Sequence, residues 1–190
     1  MTRRLLLVRH ASTDAVRAAA FGADEPLDAS GRAAATRLAA RLPRADEVLV
    51  SGAARAVETA ALAGLPVSGS APGECDFGAW AGRRLSEIAE ADEAGVRAWM
   101  TDPAAAPHGG ESLVAMLERV RGWLAAQAGG SGTAIAITHA GVVKAAVVLA
   151  LDAPPSAFWR IDVAPCSITE LHAHDGRWTV TRVNDRGETR

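Results

Sequence analysis

Cysteine is scarce in this chain of 190 residues: only Cys75 and Cys166 occur. They lie far apart and form no Cys-x-x-Cys pair, which excludes a disulfide framework and implies two reduced thiols in a cytoplasmic protein. No stretch approaches the roughly 20 apolar residues of a membrane span. The most apolar run, VVKAAVVLALDA, is short and carries Lys144, so it reads as a buried helix. Leu5–Val8 is too brief for the apolar core of a signal peptide. An excess of positive charge is also missing: 20 basic against 22 acidic residues give a net charge of -2 and a pI near 6.2. That balance excludes any electrostatic case for nucleic acid or an anionic membrane as partner, so a positive field has to be local, inside a site. There is no internal repeat and no low-complexity segment. No Gly-x-Gly-x-x-Gly follows the first apolar run, which removes a dinucleotide-binding reading.

What is present is a globular composition, 49% hydrophobic and 22% charged, in a length suited to one domain. Residues 3–9 form a Leu/Val run without alternation, the pattern of a strand buried on both faces. PLDASGRAAATRLAARLP then reads as a helix with Asp28 or Ser30 as cap and Pro43 after its end. DEVLVSG is a second buried strand, AARAVETAALAG a helix closing on Gly64, and LPVSGS a brief third strand. From Ala71 to Gly110 the text is rich in Pro and Gly, with helical pieces near 84–90 and 94–100. ESLVAMLERVRGWLAAQAG is an amphipathic helix, GTAIAITH a buried strand and AGVVKAAVVLALD a further helix. WRIDV, CSITELHA and RWTVTRV read as alternating strands, the last two joined by a His-Asp-Gly turn. The expected fold is α/β: a three-layer α/β/α sandwich with a mostly parallel central sheet and antiparallel edge strands near the C-terminus. One domain over 1–190 is expected, with a small cap segment around 78–111.

In such sheets ligands gather beyond the carboxyl ends of the strands. Three strand ends here are unusual: Arg9-His10 after the first, Ser51-Gly52 with Arg55 one turn on after the second, and Thr138-His139-Ala140-Gly141 after a later one. Singly, each is an ordinary loop or helix-surface residue. Together, two histidines and two arginines on one sheet edge make a cationic pocket that is costly to maintain unless a dianion fills it. Phosphate suits such a pocket, since guanidinium forks match its oxygens and helix N-termini present free N–H groups.

With LVRHAST, SGAARAVETA, ECDFGAWAG, GGES and ITHAG in this order, the sequence resembles the histidine phosphatase, or phosphoglycerate mutase-like, superfamily. The resemblance covers Leu5 to at least Lys144. It implies that His10 is phosphorylated during turnover, that Arg9, Arg55 and His139 hold the phosphoryl group, and that Glu74 donates the proton. It implies no metal and no organic cofactor. The chemistry of the residues agrees: neutral imidazole takes a phosphoryl group directly, provided its other nitrogen donates to a fixed acceptor such as a strand-end carbonyl. Arg9, Arg55 and a protonated His139 would neutralise the equatorial oxygens, and a Glu74 carboxyl beside phosphate would sit high enough in pKa to act as acid.

Departures from the family's usual Arg-His-Gly-Glu-Thr are Ala11 and Ser12 before Thr13. An asparagine that usually follows is missing, with Val16 near its place and Arg17, expected at the surface, as a stand-in. Candidate substrate contacts are Thr13, Arg17, Arg83, Arg84 and His108, with Trp80 and Trp99 as further lining. A loop histidine is normally solvated, and this is the expectation for His108; His172 and His174 are expected to face solvent on an edge strand. Glu111 and Ser112 are expected to cap the amphipathic helix, Asp76 to support Glu74 by a hydrogen bond, and Cys75 to be mildly reactive. The reading is a phosphatase that hydrolyses small-molecule phosphate monoesters through a phosphohistidine at His10. Its partner is a small phosphorylated metabolite, and the oligomeric state is open, a homodimer included. The rivals are phosphoglycerate mutase-type transfer and a catalytically idle phosphate-binding domain. Hydrolysis is preferred because the segment after Arg84 is acidic and alanine-rich, a poor clamp for a second anion.

Overall fold

A computed structural model describes residues 2–187. Its strands are β1 (Thr2–Arg9), β2 (Glu47–Val50), β3 (Gly69–Ser70), β4 (Gly132–Thr138), β5 (Ile168–His174) and β6 (Arg177–Asp185). They form one sheet in the order β3-β2-β4-β1-β5-β6. The β3–β2, β2–β4 and β4–β1 ladders are parallel, whereas β5 and β6 add antiparallel strands beyond β1. The helices are α1 (Asp14–Arg17), α2 (Ala29–Leu38), α3 (Ala54–Leu62), α4 (Leu85–Ala91), α5 (Glu93–Thr101), α6 (Leu113–Ala128) and α7 (Ala140–Ala150).

The run Leu5–Val8 behaves as its lack of alternation predicts. Leu5 and Leu7 pack with α6 and α7 on one face of the sheet. Leu6 and Val8 pack with α2 and α3 on the other, and all four side chains are buried. Ile135 and Ile137 against Ala134 and Ala136 divide β4 in the same way. Burial on both faces is what makes these strands continuously apolar, and it gives the expected three layers. The β5–β6 connection is the anticipated tight turn, with Asp175 and Gly176 both at positive φ, as a two-residue hairpin loop of this twist requires. Among the described residues no helix is long and apolar enough to cross a membrane.

Three local expectations are corrected. WRIDV is no strand: Pro155–Arg160 is a 3₁₀ turn entered through Pro154, and the residues after it run outside the sheet. Side chains satisfy that backbone instead of a ladder, with the Val163 carbonyl accepting from Arg9 and the Ala164 N–H donating to Asn184. LPVSGS contributes only the two paired residues of β3. A third difference is the one-turn helix α1, capped by Thr13 Oγ1 accepting from the Val16 N–H, in a stretch for which the sequence pattern predicts no element. A smaller revision concerns His172, which is half-buried and bonded to Glu170 at 2.7 Å, whereas His174 is exposed as expected.

Ser12, one of the departures from the family pattern, locks the β1 exit onto α2. Its hydroxyl donates to Asp28 Oδ2 at 2.8 Å, while Asp28 Oδ1 caps α2 by accepting from Gly31. The Ser12 backbone lies so close that a Cβ on Gly31 would fall 2.1 Å from the Ser12 carbonyl oxygen. Gly31→Ala is therefore expected to cost about 2 kcal/mol by forcing backbones apart. The corresponding fall in Tm is roughly 4–8 °C for a chain of this size, measurable by calorimetry. An unchanged Tm would show that Ser12 is not held against α2 in this way.

Candidate active site

The parallel register brings three strand ends level. Arg9 pairs with Thr138 across β1 and β4, the His10 N–H donates to the Thr138 carbonyl, and the Ser51 N–H donates to Ile137. His10, Ser51 and His139 thus leave the sheet side by side, and α3 and α7 begin beside them. All three are buried, as is Arg55 in the first turn of α3.

Hydrogen bonding fixes both imidazoles. His10 Nδ1 donates to the Ala11 carbonyl at 2.8 Å, so Nε2 carries the lone pair and accepts from Arg55 Nε at 3.2 Å. Arg55 Nη2 is 3.3 Å from His139 Nδ1, and a guanidinium only donates. His139 therefore holds its proton on Nε2, where it donates to Ser51 Oγ at 2.7 Å. The strand-end carbonyl expected to orient His10 is that of Ala11. Ala11 itself is fully buried, has no positive φ, and donates its N–H to Thr59 Oγ1, so its Cβ fits where glycine is usual.

Burial pushes His10 down to about 3, with the Arg55 and Arg9 charges adding to it against the Ala11 bond. His139 is pushed down to about 2 by burial, then by His10, Arg55 and Arg9. Both rings are therefore neutral in the absence of an anion, and the protonated His139 expected beside a phosphoryl group would need that anion to offset the cost of charging it. The pocket is not purely cationic either. Arg9, His10, Arg55 and Glu74 line a cavity of about 180 Å³ together with Glu25. Glu25 accepts from Thr13 Oγ1 at 3.0 Å and lies 3.7 Å from Arg55 Nη1. Arg9 donates to Val163 O at 2.7 Å, leaving its buried Nε without a partner.

Glu74 bridges two loops. Its Oε1 accepts from its neighbour Cys75 and its Oε2 from the Gly141 N–H in the first turn of α7, at 3.0 and 3.2 Å. The carboxylate comes so near that a Cβ on Gly141 would lie 2.2 Å from Oε1. Arg119 fastens the same loop, donating to the Gly73 and Glu74 carbonyls while paired with Glu111 at 2.8 Å. Glu111 is thus committed to Arg119, and Ser112 alone caps α6. Asp76 does not touch Glu74; its Oδ1 accepts from Gly78 and its carbonyl from Glu111. Burial, Glu111 and Glu74 push the Cys75 thiol up to about 12, which disfavours the thiolate that mild reactivity would need.

The other candidates divide. Thr13 is buried, braces Glu25 and caps α1, without lining the cavity. Arg17, Arg83 and Arg84 are exposed and do not line this cavity; Arg84 lines an adjoining open one that shares Ala15, Ala20 and Glu25 with it. His108 is not solvated but 2% exposed, edge-on to Phe77 and Trp80, with Nδ1 accepting from Gly110. It backs the Phe77 wall instead of reaching into the cavity. Trp80 is buried with Phe21 and Ile88, and only Trp99 lines a cavity. Glu25 and Ser51 went unread as site residues. Ser51 stood at a strand end level with His139, a usable signal; Glu25 lies in a loop whose sequence marks no direction. Among the described residues, no three His, Cys, Asp or Glu side chains gather as a metal-ligand set.

A covered, mostly parallel sheet with two imidazoles and two guanidiniums gathered at its carboxyl edge defines an α/β protein with its polar cleft at the strand ends. The chain belongs to the histidine phosphatase superfamily, whose branch 1 model matches residues 5–186. Over 118 residues, 60% of the chain, it is 40% identical to a protein of Mycobacterium tuberculosis described as bifunctional. It spans about a third, 32%, of the length of the curated relatives it matches. Among solved structures it is similar to a mycobacterial glucosyl-3-phosphoglycerate phosphatase, with TM-score 0.84 and 26% identity, covering 97% of this chain and 100% of that one. It is likewise similar to the alpha-ribazole phosphatase from Shigella flexneri, with TM-score 0.83 and 27% identity over 96% of each chain.

The depressed imidazoles carry a sign. A folded-state pKa below the ordinary 6.5 means that the unfolded chain binds more protons beneath that pH. Stability is therefore expected to hold above pH 6.5 and to decline as pH falls towards 3, with the buried His108 contributing in the same direction. The imidazole resonances of His10 and His139, followed by NMR from pH 8 to 5, should not titrate without an anion. Titration of either ring near 6.5 would contradict its burial in the neutral form.

Proposed function

We propose that this chain is a phosphatase that hydrolyses small-molecule phosphate monoesters through a phosphohistidine at His10. The observation that carries the reading is the tautomer of His10: with Nδ1–H held by the Ala11 carbonyl, Nε2 offers its lone pair to the cavity between the arginines. That lone pair attacks phosphorus and the bond to the ester oxygen breaks. Arg55, which now donates to Nε2, turns its N–H groups onto the phosphoryl oxygens together with Arg9. Uptake of a proton at His139 Nδ1 gives the anion a further donor, while Nε2 stays anchored on Ser51. Glu74, protonated in the complex, passes its proton to the departing alkoxide. Its carboxylate then takes a proton from the water that attacks the phosphohistidine, releasing phosphate and restoring both groups.

Hydrolysis is favoured over mutase transfer because Arg83, Arg84 and Arg97, the basic residues of the segment over 78–111, are exposed and none of them lines the cavity of His10 or the apolar one beside it; Arg84 lines only the open cavity that shares Glu25. A mutase needs a closing positive lid that keeps water from the intermediate. An idle binding domain has no use for both a nucleophile and an acid in one cavity. The same reading treats 1–190 as one domain, takes 78–111 as its substrate cap, and places it in the cytoplasm. The partner is a small phosphorylated metabolite and the phosphoryl group is handled without a metal, so turnover should survive EDTA.

Rapid quenching with labelled substrate should trap an acid-labile, base-stable phosphoenzyme that His10→Ala abolishes. The variant should lose turnover by at least about a hundredfold, as removal of a covalent nucleophile does. Glu74→Gln should slow alkyl esters by roughly 10²–10⁴ while sparing p-nitrophenyl phosphate, whose leaving group needs little protonation. Equal losses on both esters would take Glu74 out of the acid role. Isomerisation of 3-phosphoglycerate faster than phosphate release from any ester would promote the mutase.

A further inference from the structure

A second cavity adjoins the first, and the two share Glu74 and Phe77 as lining. Its volume is about 160 Å³. The walls are Phe77 and Trp99 from the segment over the site, Leu113 and Met116 from α6, and Phe158 and Trp159 from the 3₁₀ turn. Trp99 and Trp159 meet edge to face with centroids 4.6 Å apart, and Phe158 lies 5.1 Å from Trp159. These rings converge because residues 155–160, coming off α7, form a 3₁₀ turn outside the sheet and not a strand within it. In size the cavity compares with an apolar void of about 150 Å³ that accepts benzene.

One cation lines this apolar chamber. Lys144, on the first half of α7, stands with its Nζ 5.3 Å from the Phe158 ring centroid. Its ammonium makes no hydrogen bond or ion pair with the described residues. Burial lowers its pKa, with Asp162 and Glu74 opposing from further off. A half-buried ammonium without a partner, beside aromatic walls and in the same cavity as Glu74, leaves room for a counter-charge. The missing counter-charge is most simply one that arrives with the ligand.

We infer that this chamber receives the leaving group, and that the enzyme's substrates are phosphomonoesters of alcohols with a ring-sized apolar body carrying a carboxylate that pairs with Lys144. The inference rests on the reading of His10 and Glu74 as a phosphatase centre, and deepens it by naming the substrate class. With phosphate between Arg9 and Arg55, the ester oxygen faces Glu74 and the alcohol extends past Phe77 into the chamber. The body fills the space among Trp99, Phe158 and Trp159. Its carboxylate meets Lys144.

The test compares glycerol 3-phosphate, benzyl phosphate and the 3- and 4-carboxybenzyl phosphates, whose alkoxides are of similar basicity. For the wild type, kcat/KM should rise by roughly tenfold or more from glycerol to benzyl, the scale of filling an apolar pocket. It should rise again by roughly tenfold for the better carboxybenzyl ester, the scale of one charge-assisted hydrogen bond. Lys144→Met keeps the apolar stem and should bring the carboxybenzyl-to-benzyl ratio close to one. Trp159→Ala should shrink the benzyl-to-glycerol ratio. Calorimetric binding of benzylphosphonate and carboxybenzylphosphonate, which cannot be hydrolysed, reads the same preferences without chemistry. If p-nitrophenyl phosphate is not turned over but the phosphonates show the Lys144-dependent preference, the phosphatase reading fails while the chamber stands. If p-nitrophenyl phosphate is hydrolysed but both ratios lie near one in turnover and binding, the chamber is not the leaving-group site and the inference is overturned.

Discussion

Everything at the site turns on one guanidinium held between two neutral imidazoles. Arg55 donates to His10 Nε2 and reaches His139 Nδ1, and neither ring can be protonated on that atom while the contact lasts. Like charges buried this close would repel strongly, so the arrangement demands that both rings stay neutral until an anion enters. On the proposed phosphatase reading, an anion that drew Arg55 onto its oxygens would free Nε2 of His10 and let His139 accept a proton.

That contact is possible because the sheet holds its strand ends level. Arg9 stands opposite Thr138, and His10 and Ser51 prolong the ladder into the site. Rigid strands, buried on both faces, locate the side chains more tightly than loops can. Second contacts then set each ring: the Ala11 carbonyl for His10 and the Ser51 hydroxyl for His139. The two departures from the family pattern fit this scheme. Ala11 fills a core position with ordinary backbone geometry, and Ser12 ties the strand exit to the cap of α2.

Two carboxylates temper the cationic field. Glu74 is held at the start of α7, where backbone N–H groups favour negative charge, and Glu25 stands beside Arg55. Together they offset part of the positive charge of Arg9 and Arg55. Glu25 also bonds Thr13, so the segment from Thr13 to Glu25 is closed on itself beside Arg55. The chain's net charge of -2 is consistent with a positive field confined to this pocket.

Much of this was written in one dimension. Unbroken Leu/Val and Ile/Ala runs determine strands buried on both faces, and the Asp-Gly turn determines the terminal hairpin, because these depend on near neighbours along the chain. Arg9, His10, Arg55, Glu74 and His139 were legible for a related reason: each stands at a strand end, in a helix's first turn or in a family motif. Direction and burial were decided only by tertiary structure. His108 became a wall support because Phe77 and Trp80 close over it, and Arg83 and Arg84 stayed exposed outside the cavity of His10. WRIDV alternates like a strand, yet Pro154 and the side-chain partners of Val163 and Ala164 divert it. That diversion, and the packing of α7, place Trp159 and Lys144 in one cavity with Glu74, an encounter between segments that no local pattern in the chain encodes.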